Sequence, residues 1–102
     1  MSQVPLRVSV LLSIQRALWD EVTPGLRGVL VAVSESAVSG RMIFDHVPTD
    51  DDVDDCSLVE THVIADMLPE VTVTLTAVGV EPPEPRELLP GEEWVYLRKE
   101  PT

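Results

Sequence analysis

Basic residues are scarce in this chain. Seven Lys and Arg stand against eighteen Asp and Glu, a formal net charge of −11. Nucleic acid and anionic membrane are both held by Lys and Arg that displace counterions, so neither is an expected partner. Cysteine is nearly absent. Cys56 stands alone, which excludes an internal disulfide framework and leaves it as a small core residue. No apolar run reaches the roughly eighteen residues that a spanning helix needs. The apolar patch from Val8 to Ile14 has only Arg7 before it, and no small-residue cleavage site follows. A signal peptide is therefore not expected, and the expected location is cytoplasmic.

Chemical motifs are missing as well. Cys56 and His62 are six apart, about 240° round a helix, and no zinc-type spacing exists. There is no phosphate loop, and Gly25-x-x-Gly28 is only a turn. No Ser-His-acid order with a strained elbow appears. Asp50, Asp52 and Asp54 occupy the first three ligand positions of a calcium loop. The sixth position, which should be Gly, is Asp55, and the twelfth, which should be Glu, is Thr61. No metal or cofactor is expected, nor any catalytic residue. His62 and Asp66, four apart, make an ordinary helix-surface pair.

What remains is ordinary globular composition, 44% apolar and 25% charged, which argues against disorder. Residues 1–102 are expected to form one domain with a modest two-layer core. The organising stretch is Thr49 to Leu68, an amphipathic helix stopped by Pro69. Thr49 is a good N-cap, with Asp52 three residues on as a shortened capping box. Asp50, Asp51, Asp52, Asp54 and Asp55 crowd its positive end, where the helix dipole favours carboxylates and their mutual repulsion offsets part of the gain. Val53, Cys56, Val59, Val63, Ile64 and Met67 form its apolar stripe.

Before it, Leu6 to Val22 reads as a first helix with Leu11, Ile14 and Leu18, plus Trp19 or Val22, on one stripe. Leu26 to Ser34 is apolar on both faces and reads as a central strand. Val38 to Val47 is its hairpin partner, with Met42 and Phe44 facing one way and Arg41, Ile43 and Asp45 the other. His46 is expected on that strand. After the acidic helix, Glu70 to Val80 alternates as a half-buried strand. Glu81 to Glu93, with four prolines, reads as a semi-rigid loop. Trp94 to Lys99 is the last strand, with Trp94, Tyr96 and Arg98 on one face. Met1 to Pro5 is a frayed start, and Glu100 to Thr102 is a tail. The fold class is α+β, order αββαββ: a four-stranded, mainly antiparallel sheet with two helices on one face.

Trp, Tyr and Arg are enriched at binding hot spots, so Trp94, Tyr96 and Arg98 are candidate partner-binding residues. The alternative is that Trp94 and Tyr96 close one end of the core while Arg98 snorkels over it. Leu18 with Val22-Thr-Pro-Gly-Leu-Arg-Gly-Val29, then Val63-Ile-Ala-Asp66, then Trp94-Val-Tyr-Leu-Arg-Lys-Glu100, resembles a family of short acidic bacterial proteins, mostly uncharacterised, of the same αββαββ order. Gly25 departs from that pattern, in which Asn is frequent; both residues suit a left-handed turn. The resemblance brings no catalytic residues. In size and charge the chain also resembles bacterial toxin-immunity proteins.

The expected function is that of a non-enzymatic, acidic, cytoplasmic protein-binding protein, most concretely an immunity-type inhibitor of a basic toxin or nuclease. Its candidate surface is the five aspartates with Trp94, Tyr96 and Arg98. Two alternatives stand beside it: a self-associating structural module, and a small hydrolase or metal-dependent enzyme.

Overall fold

Six elements appear in the expected order: α1 (Leu6–Ala17), β1 (Leu26–Val33), β2 (Ala37–Phe44), α2 (Asp50–Asp66), β3 (Thr72–Gly79) and β4 (Glu92–Leu97). They come from a computed structural model that describes residues 5–100. Of the start expected to be frayed, Met1 to Pro5, the residues up to Val4 lie outside the described residues, as do Pro101 and Thr102 of the expected tail.

The sheet order is β3-β2-β1-β4. β1 is antiparallel to β2 and to β4, but β2 and β3 are parallel. The sheet is thus mixed, not mainly antiparallel. The cause is the crossover. The seventeen residues of α2 span about 25 Å at ~1.5 Å per residue, the length of an eight-residue strand, so the helix returns the chain to the starting end of β2.

α2 starts as its sequence requires. The Thr49 hydroxyl accepts the Asp52 N–H at 3.2 Å and the Asp52 carboxylate accepts the Thr49 N–H at 2.9 Å, so the capping box is complete. Its buried side is narrower than expected, with Asp52, Cys56, Val59 and Val63 turned in, while Val53 and Ile64 are exposed. The four inward positions are four, three and four apart, which alone follow one line along a helix. α1 is shorter than expected and ends at Ala17. Trp19 and Val22 are exposed, off its core stripe.

α1 packs on α2, β1 and β4, and α2 packs on β3. Val10, Ile14 and Leu18 of the first helical segment join Cys56, Val59 and Val63, with Val29, Val31, Met42, Phe44, Val73 and Leu75 from the strands, in one buried cluster. Met42 and Phe44 point into it, as the alternation of β2 predicts. Leu30 and Ile43 are fully buried on the other face of the sheet. There Ile43 shares a hollow with Val80, Pro85 and Leu89 of the proline-rich segment. Three arginines hold that segment in place. Arg27 donates to the Val80 and Glu84 carbonyls at 2.7 and 2.9 Å, Arg41 to the Glu87 carbonyl at 3.0 Å, and Arg86 to the Arg27 and Arg98 carbonyls at 2.9 Å each.

Candidate functional site

The five aspartates do not act as one cluster. Asp50, Asp51 and Asp54 are exposed and Asp55 is half-buried. Asp52 is only 7% exposed, and its carboxylate is consumed by the cap and by His46 Nε2 at 2.6 Å. Burial works against its ionisation, yet the Thr49 N–H and the His46 ring together hold its pKa below the usual range. It is a structural group, not a surface one. Asp50, Asp52 and Asp54 also lie on a helix, about 200° apart in succession, so they diverge and cannot close round an ion as a calcium loop does.

Trp94 and Tyr96 are parted by a bulge. Tyr96 opposes Val29 while Trp94 opposes Leu30, with the register shifting between them at Val95. Val29 and Leu30 are consecutive and point to opposite faces, so Trp94 and Tyr96 do as well. The shared face expected from alternation is therefore absent. Tyr96 packs on the core cluster and Trp94 lies over Gly28, where a Cβ would come within 2.9 Å of its ring. Arg98 is tied down: its Nη1 donates to the Pro24 carbonyl at 2.8 Å and to Asp45 at 2.7 Å, its Nη2 to Glu100 at 2.9 Å.

The residues missed in the sequence form one ionic chain. Asp52 meets His46, His46 Nδ1 meets Asp45 at 2.7 Å, Asp45 meets Arg98, and Arg98 meets Glu100. Glu100 also takes both arms of Arg27, at 2.8 and 2.9 Å. These bonds, Arg27's first and Arg98's after, hold the Glu100 carboxyl at about 2 against the opposing effect of burial. Arg27 is 3% exposed. It is the unpaired residue of the β1 bulge between Leu26 and Gly28, which re-aims its side chain. One signal was available: a lone charge in an otherwise apolar central strand. His46 lies just beyond β2 rather than on it. Gly25 has no left-handed backbone. It is needed for close approach, since a Cβ there would stand 2.6 Å from the His46 ring.

Every arginine meets a carboxylate: Arg7 with Glu93, Arg16 with Asp66, Arg41 with Glu92, and Arg27, Arg86 and Arg98 with Glu100. Lys99 is in no ion pair among the described residues. Cys56 is buried, and desolvation pushes its thiol up to about 11, so it stays protonated and inert at neutral pH. Glu60 reaches from α2 to the edge strand, where its carboxylate accepts the Leu75 N–H at 2.8 Å. That occupies a donor which a second sheet could otherwise pair with. No helix is long and apolar enough to cross a membrane among the described residues.

No curated protein matches the chain. Two solved structures, zinc forms of MamM CTD variants, each resemble it at a TM-score of 0.41 and 17% identity. They cover 78% and 80% of this chain, and 89% and 93% of their own. The likeness to toxin-immunity proteins, drawn from size and charge, holds at the level of family: residues 7–100 match the model for MafI2 immunity protein, and the chain belongs to that family.

Proposed function

We propose that this protein is a non-enzymatic inhibitor that binds a basic toxin domain in the cytoplasm and blocks it. Family membership supports the immunity role. The observation that carries the choice of partner is the pairing of the arginines. All six fold back onto carboxylates. Asp20, Asp50, Asp51, Asp54, Glu81, Glu84 and Glu87 are left facing outward. A surface whose cations are internally spent presents an almost purely negative field. Such a field steers a cationic partner and repels an anionic one.

The test is co-expression with any basic toxin domain found among the genes neighbouring this one. Growth should be restored, and the purified pair should elute as one stable complex. A toxin that keeps full activity beside a stoichiometric amount of this protein would overturn the proposal.

A further inference from the structure

Trp19 is the most exposed aromatic side chain among the described residues, 72% accessible. Its backbone fixes it outward. The Trp19 N–H bonds the Arg16 carbonyl at 3.1 Å and the Glu21 N–H bonds the Leu18 carbonyl at 3.0 Å. Between them Asp20 has φ 67°, the one non-glycine residue with positive φ among those described. Aspartate is one of the few side chains that tolerate this left-handed region. The turn ends α1 and carries the indole away from the core.

Trp19 does not stand alone. α1 and α2 run antiparallel: Ser13 bonds Asp66 at 2.7 Å, and further toward the start of α1, Leu6 and Ser9 share a hollow with Met67 and Val71. At ~1.5 Å per residue, the end of α1 at Ala17 lies about 6 Å from Ser13, with Trp19 in the turn just beyond it, and Leu58 lies about 12 Å back along α2 from Asp66. Both lie toward the same end of the helix pair. Asp66 marks the flank of α2 turned to α1, and Leu58, Asp55 and Asp51 follow it at helical spacing. Leu58 is 58% exposed.

We infer that this outer seam between the helices, centred on Trp19 and Leu58, docks the lysine- or arginine-bearing face of the toxin, with one cation seated over the Trp19 indole. The inference rests on the inhibitor reading above and names its contact surface. Charge complementarity selects the occupant. Asp20 is exposed next to Trp19 in the chain, exposed Asp51 and half-buried Asp55 share the Leu58 flank of α2, and the one arginine on the seam, Arg16, is turned onto Asp66 at 3.0 Å. A cation over an indole is attracted by the ring quadrupole, and nearby carboxylates steer it there. Tryptophan is also the side chain on which interfaces most often concentrate their affinity.

The probe is a basic toxin domain against which this protein protects in co-expression, catalytically inactivated, titrated against the full chain by calorimetry. Trp19→Ala should weaken binding by about tenfold or more, as a hot-spot truncation does. Trp19→Arg keeps bulk but repels a cation, and should weaken it at least as much. Ile64→Ser, on the flank of α2 that faces away from α1, should stay within about twofold. In a Trp94→Phe background Trp19 is the only indole, and complex formation should shield it from acrylamide. Unchanged circular dichroism and urea midpoint show that each variant is folded. If the toxin binds wild type and Trp19→Arg equally, with the indole still quenchable in the complex, this inference fails and the inhibitor reading stands. If the toxin does not bind wild type at all, both fall.

Discussion

His46 Nε2 lies 2.6 Å from Asp52 Oδ2, the same oxygen that accepts the Thr49 N–H. One carboxylate therefore closes the helix cap and anchors the segment that leads into it. The other ring nitrogen meets Asp45, whose second oxygen receives Arg98. The end of β2, the start of α2 and the segment after β4 are latched at one point. The hydrogen bonds from Asp45 first, and Asp52 next, raise the His46 pKa above its ordinary 6.5 despite partial desolvation.

The latch predicts a pH dependence with a definite sign. His46 has its pKa raised on folding, so its contribution is complete below about 6.5 and is lost as pH rises through the higher folded value. Asp45 and Asp52 have theirs lowered, so their contributions are present above about 3.8 and are lost as pH falls through the lower folded values. Between those limits all three act together. The urea midpoint of wild type should fall as pH rises above about 6.5. His46→Gln keeps a donor but cannot titrate, and its midpoint should be flatter over that range. Equal slopes for both proteins would place the titration elsewhere.

The cap makes a second prediction. Thr49→Ala removes the acceptor of the Asp52 N–H and should cost about 1 kcal/mol. Asp54→Asn, on the exposed side of the same turns, should be nearly neutral, because relief of repulsion offsets the lost dipole attraction. Denaturant unfolding of both variants decides it. A larger loss for Asp54→Asn would mean that the dipole gain dominates at that site.

Local rules carried the sequence a long way here. The Thr49 cap, the hairpin of β1 and β2, and the alternation of Met42 and Phe44 against Ile43 all depend on neighbours in the chain, and all stand; the acidic helix ends at Asp66, with Met67 already extended, ahead of the stop expected at Pro69. What alternation cannot reveal is a bulge. One inserted residue at Val95 sent Trp94 and Tyr96 to opposite faces, and another at Arg27 turned a strand charge toward residues 53 and 73 positions away. The direction of β3 was equally hidden, since it depends on the length of the crossover and not on the pattern within the strand. Trp19 was misplaced because α1 ends at Ala17, and even continued as helix it would stand about 180° from Val10, opposite the buried face.

Arg27 should be the most sensitive charge in the protein. Its guanidinium holds Glu100 bidentately and two loop carbonyls besides. Arg27→Ala leaves those acceptors without their donor in a buried place, a loss of about 3–5 kcal/mol for a broken buried pair. Arg27→Lys should recover little, because a single ammonium cannot span the fork. Urea denaturation of both variants gives the comparison. A loss below about 1 kcal/mol for the alanine variant would mean that Arg86 and Arg98 take over Glu100 without strain.

The acids that remain free should govern how fast the toxin arrives rather than how long it stays. Asp50 and Asp51 are exposed and Asp55 is half-buried, while Asp52 is committed to the cap and the latch. Changing the three to Asn should leave the urea midpoint close to wild type and slow association. Exposed charges steer the encounter, and they are screened beyond about 8 Å at physiological salt. Raising the salt should therefore slow wild type toward the triple variant and affect the variant less. Asp52→Asn should behave differently, losing stability first and binding only as a consequence. Stopped-flow association at two ionic strengths, with the dissociation rate measured separately, resolves the two terms. An association rate indifferent to salt in wild type would remove electrostatic steering from the account of how this protein finds its partner.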